Sequence, residues 1–180
     1  MLSRTLALTR FLFFRVTAVA AILGGVLRVT DSYLAETRAV AVQQIAYFVT
    51  DLMLSLGLCG IYFARRKVLG LAGLLGFVTS IVGLLIVRSS GLNVLGPNSY
   101  VVGATVTLVG VVALGFDLLL RAAFPKLGPT LWITSFAVGL IGLLTGMTGW
   151  IVVLAGVIFG VGFVAAGVSL LQEGSQAQSE

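Results

Sequence analysis

The chain has 180 residues, 59% of them hydrophobic and only 9% charged, with a mean hydropathy of +1.15. Soluble domains carry roughly 25% charged residues, so a soluble fold has no interior large enough for this apolar surface, and lipid must be the solvent for much of it. The net charge of +5 does not mark a nucleic-acid partner, because the basic residues end apolar runs, where they set orientation.

Residues 1–10, MLSRTLALTR, are basic and lack acids. Three readings compete for them. A cleaved signal peptide would use Ala18-Val19-Ala20 as its site, although Arg15 interrupts the apolar core. A mitochondrial presequence would use Arg4, Arg10 and Arg15 on an acid-free, Ser/Thr-containing segment. The preferred reading is an uncleaved cytoplasmic end followed by a first span over about 11–27. A polar segment follows, with Arg28, Asp31, Ser32, Glu36 and Arg38.

The second span covers about 39–64 and ends in the basic turn Arg65-Arg66-Lys67. The third covers about 68–87, and residues 89–99 have the Gly, Asn and Pro of a turn region. The fourth covers about 100–120. Pro129 suits the first turn of a fifth span over about 129–145. Gly146 to Gly149 read as a tight hairpin into a sixth span over about 150–171. Residues 173–180 form a polar tail expected to be disordered.

The expected fold is therefore all-α, a single six-helix transmembrane domain over 1–172 with both termini on one side. With the termini in the cytoplasm, the inside loops hold Arg4, Arg10, Arg65, Arg66, Lys67, Arg121 and Lys126. The outside loops hold only Arg28, Arg38 and Arg88, so this orientation satisfies the positive-inside rule. Tyr100 and Trp150 then fall at outer span ends, where amphipathic rings favour the interface. At an offset of 55, Gly60, Arg66, Thr79 and Ser80 match Gly115, Arg121, Thr134 and Ser135. Spans two–three and four–five would then be parallel copies of one hairpin, or the matches are chance in a low-complexity apolar sequence.

Glycine, alanine and serine recur at steps of three and four, which keeps small residues on one face of a helix. Span three has Gly70, Gly73, Gly76, Ser80 and Gly83; span six has Gly156 and Gly160. Such stripes let helices approach where lipid supplies no hydrophobic force between them, or let one span meet a partner chain. Within residues 57–77, Gly57, Gly60, Tyr62, Arg65, Gly70, Gly73, Gly76 and Phe77 form the pattern GLxGxYxxR…GLxGLLGF. This stretch resembles small, uncharacterised bacterial multi-pass membrane proteins. The resemblance implies a helical hairpin in a bacterial inner membrane and no particular activity.

Asp51 is the one acid near the middle of span two, where an ionised carboxylate costs roughly 2.5–3.5 kcal/mol on insertion scales. Gln44, Tyr47 and Ser55 lie within about 40° of it on a helical wheel. Gly57 and Gly60 lie on the opposite side, which makes span two the expected hub. The candidate binding residues are thus Asp51, Gln44, Tyr47 and Ser55. Arg15 is a candidate partner for Asp51, and Asp117 with Arg121 a candidate i,i+4 ion pair or a cytoplasmic gate facing Asp51.

No phosphate loop, nucleophile elbow or zincin pattern occurs. The chain has no histidine and only Cys59, so no metal, cofactor or catalytic residue is expected. Two functions stay open. One is a non-catalytic scaffold or accessory subunit in a homo-oligomer or larger complex of the bacterial inner membrane, with a mitochondrial membrane the lesser alternative. The other is a small transporter or channel using the Asp51 site. The expected partners are the lipid bilayer and other membrane chains, not nucleic acid.

Overall fold

A chain in hydrocarbon must satisfy its backbone polar groups internally, and a helix does this within one segment. The computed structural model describes residues 2–34, 40–89, 99–121 and 124–176. They form six helices: α1 Leu2–Leu34, α2 Val40–Arg65, α3 Leu71–Ser89, α4 Ser99–Leu120, α5 Leu127–Thr145 and α6 Thr148–Gln176. All six are long and apolar enough to cross a membrane, and no strand occurs among the described residues. The protein is an all-α, multi-pass membrane bundle.

Several boundaries differ from those expected. Helix α1 continues past residue 27 to Leu34 because its last turns pack: Thr50 Oγ1 of α2 donates to Asp31 Oδ2 at 2.9 Å. Helix α3 starts at Leu71 rather than 68, because Val68 and Leu69 give their amides to Arg65 O and so close the end of α2. Residues 173–176, expected in a disordered tail, are helical, and Glu173 is ion-paired to Arg65. The expected hairpin turns at Gly146, whose φ of 70° is a left-handed C-cap open to glycine without strain. Glu36 and Arg38, most of the 89–99 turn, the side chain of Tyr100 and residues 177–180 lie outside the described residues.

The helices form a ring in chain order, closed by α1 against α6. The α3–α4 and α1–α6 contacts are the most extensive, followed by α1–α2 and α5–α6; α2 touches α3 and α6 only lightly. The expectation that α2 is the hub is therefore corrected: α2 leans on α1 and leaves its other flank loose. Its narrow face explains this. At Gly57 an added Cβ would lie 2.8 Å from Ala21 Cα, and Gly60 abuts Thr17. The α3–α4 pair is as close, since a Cβ on Gly110 would lie 2.6 Å from Ser80 Oγ and 2.7 Å from Gly76 O.

The residues matched at the 55-residue offset play different parts. Ser80 Oγ donates to Gly76 O in its own helix, whereas Ser135 Oγ donates across to Ala155 O of α6 at 2.8 Å. A mixed aliphatic and aromatic core, with Leu58, Leu114, Trp132 and Phe163 fully enclosed, fills the bundle.

Candidate functional site

Three acids sit within the spans, Asp31, Asp51 and Asp117, and the glycine spacing decides what each one meets. Gly24 packs at Leu54, Ala21 at Gly57 and Thr17 at Gly60, so α1 and α2 run antiparallel. That register puts Arg15 level with residues 62–63, about 18 Å along the axis from Asp51 at 1.5 Å per residue. The expected Arg15–Asp51 pair is not formed. Arg15 is exposed, with its guanidinium 4.5 Å from the Phe11 ring centroid. The cations that act on Asp51 through space are Arg28, brought level with it by the same register, and Arg88 at the end of α3.

Asp51 lies in the loose seam between α2 and α3. A cavity of about 120 Å³ opens there, lined by Asp51, Ser55 and Arg88 among Phe48, Leu52, Leu84 and Leu85. Phe48, Leu52 and Leu85 are exposed, so the cavity opens sideways toward lipid. Arg88 is held over the Phe48 ring at 4.3 Å, a cation–π contact that keeps a guanidinium beside apolar surface. The Ser55 hydroxyl donates to the backbone carbonyl of Asp51 at 2.8 Å, which leaves its oxygen as an acceptor in the seam.

Of the four expected binding residues, the cavity unites only Asp51 and Ser55. Gln44 is exposed in the first turns of α2, and Tyr47 instead accepts from Gln43 Nε2 at 2.9 Å. Sequence reasoning passed over Arg28, Asp31, Thr50 and Arg88. Asp31 is 4% exposed, as firmly enclosed as any acid in the bundle. A helical wheel centred on Asp51 cannot find these residues, because they come from other helices or from the flank facing α1. Pairing the small residues of α1 and α2 to fix the register would have found Arg28.

Asp117 has a different task. Gly70 O accepts the first bond of α3, from Leu74 N, so Gly70 holds the N-cap position without a side chain to cap with. Asp117 of α4 supplies the missing carboxylate: Oδ2 accepts from Gly70 N at 2.7 Å, and the Gly73 amide also bonds to it. Its Oδ1 accepts from Arg121 Nε at 2.9 Å. Negative charge at a helix N-terminus is favourable, and a charged acceptor strengthens each bond. Both glycines are needed for this approach, since a Cβ on Gly73 would lie 2.6 Å from Asp117 Oδ2 and Gly70 abuts the Arg121 guanidinium. The pair caps α3 at the far end of the bundle from Asp51's cavity, so it does not face that cavity as a gate.

Arg65 ties the same end together. It pairs with Glu173 of α6 and lies 5.6 Å from the Phe124 ring centroid. No group of three or more metal-ligating side chains occurs among the described residues. The six long apolar helices define a multi-pass helical membrane protein. No family model, curated protein or solved structure matches the chain.

Proposed function

We propose that the protein is a non-catalytic accessory or scaffold subunit of the bacterial inner membrane, with cytoplasmic termini, that receives a transmembrane helix of a partner protein in the α2–α3 seam. One observation carries this reading: the seam leaves Asp51, Ser55 and Arg88 in a cavity open toward lipid. The open surface of this cavity is almost entirely apolar, so a neighbouring helix can fill it by close packing, and a hydroxyl or amide on that helix can bond to the Asp51 carboxylate in its wall. The tight glycine contacts elsewhere hold the seam's two walls on separately packed pairs, α1–α2 and α3–α4. The hairpin resemblance of residues 57–77 supports the bacterial setting.

The cavity also favours a second reading, a small transporter with Asp51 at a midplane site. Asp51 lies nine residues into the α2 span, about 14 Å from its end. A photo-crosslinking residue at Leu52, compared with one at Leu143 on the exposed face of α5, separates the two. The accessory reading expects a discrete heterologous membrane-protein adduct from Leu52, absent from Leu143 and lost in Asp51→Asn. Adducts only with itself, together with solute or proton flux that Asp51→Asn abolishes in proteoliposomes, would replace it with the transporter.

A further inference from the structure

The bundle has a second groove, on the outside of the α1–α2 pair. It measures about 320 Å³ and is lined by Arg15, Val16, Val19, Leu23, Met53 and Leu56, with Ala20 at its base. Every wall except Arg15 is apolar, and Val16, Val19 and Leu23 are exposed. From Arg15 to Leu23 is eight residues, or about 12 Å along the helix. That falls just short of one leaflet of a hydrocarbon core about 30 Å thick. A membrane-spanning partner helix would need a track twice as long.

The charge lies at one end only. Arg15 bends back over Phe11, the first residue of the α1 span, which sets its guanidinium at the edge of the apolar zone. No carboxylate pairs with it among the described residues. A second cation stands at the same end of the pair. Arg66 lies 6.0 Å from the Phe63 ring, and that ring meets Phe13 of α1 edge-on at 6.1 Å. An anchored cation above an apolar track one leaflet long fits an amphiphile with an anionic head and a hydrocarbon tail.

We propose that this groove binds an anionic phospholipid of the leaflet nearest the chain termini, its phosphate on Arg15 and one acyl chain along Val16, Val19 and Leu23. The test is native mass spectrometry of the full chain released from nanodiscs of equimolar phosphatidylglycerol and phosphatidylcholine with identical acyl chains. One basic residue near a membrane surface contributes about 1 kcal/mol, so wild type should retain the anionic lipid about fivefold over the zwitterionic one. Arg15→Gln should bring the ratio to about one, and Arg15→Lys should keep most of the preference. Val19→Trp fills the track and should lower retention of both lipids while sparing the charge. Excess inorganic phosphate should leave retention unchanged. Equal retention of the two lipids by wild type, an unaltered ratio in Arg15→Gln, or stripping of the lipid by phosphate overturns the proposal. Should Arg15→Gln lose its helical signal in circular dichroism, Val19→Trp decides, and unchanged retention in that variant overturns the groove.

Discussion

Helix α3 has a neighbour on each side, and the two contacts are built in opposite ways. Toward α4 the backbones nearly touch: Gly76 abuts the Leu114 amide, Ser80 faces Gly110, and Asp117 caps the start of α3. Toward α2 there are ring contacts on Phe77, with Tyr62 stacked at 4.3 Å and Phe63 edge-on at 6.5 Å, and above them an open cavity with Asp51 in its wall. Each contact includes an acid from the neighbouring helix. Asp117 is enclosed, bonded to backbone amides and paired with an arginine. Asp51 borders a cavity and has Arg28 and Arg88 at a distance. An acid whose acceptors are filled from within the chain serves the fold. An acid left at an unfilled seam is available to something else.

The sharpest way to break this comparison is to push the tight contact open. Gly76→Val puts a branched side chain against the α4 backbone, and the loss should be about 3 kcal/mol or more, the upper range for overpacking. Thermal unfolding in detergent should show it as a large fall in Tm, while Leu85→Val on the loose seam should barely move it. Asp117→Ala comes next. It removes the cap from α3 and leaves Arg121 without its acceptor, which should cost about 2 kcal/mol, as for hydrogen bonds to a charged group. Because Arg121 is half-exposed, it should rehydrate rather than add a buried-charge penalty. Hydrogen exchange should rise first at Gly70 and Gly73.

Ser135→Ala loses one interhelical hydrogen bond and should cost only about 0.6 kcal/mol, the mean for such bonds in a membrane bundle. Asp51→Asn should have the smallest effect on folding, with Tm unchanged or slightly higher, because it replaces a carboxyl by an amide of the same shape at hydrocarbon depth and breaks no bond that holds two helices. Its effect should fall on the crosslinked partner instead. A loss of stability in Asp51→Asn comparable to that in Asp117→Ala would erase the distinction between the two seams.

The spans were readable from sequence because hydropathy is local: about 20 apolar residues in a row need a helix and a bilayer whatever surrounds them. The Asp117–Arg121 spacing was equally local, but the reason for it was not, since the capped helix begins 47 residues earlier. The Arg15 pairing failed for a different reason. It assumed that residues at similar depth in a span are neighbours, whereas the glycine contacts slide α1 along α2 until Arg28, not Arg15, is level with Asp51. The reading of residues 173–176 failed because nothing in their composition reveals that Glu173 will meet Arg65.

The sequence by itself determined that this is a six-span helical membrane protein with small-residue faces and an intramembrane acid, because those properties are carried by composition and by the 3.6-residue period. Only the tertiary structure decided which face meets which helix, at what register and how tightly. Those are sums over many weak contacts between segments far apart in the chain, and in lipid no dominant hydrophobic force chooses among them. The same sums packed α3 against α4, left the α2–α3 seam open, and gave two similar acids two different positions.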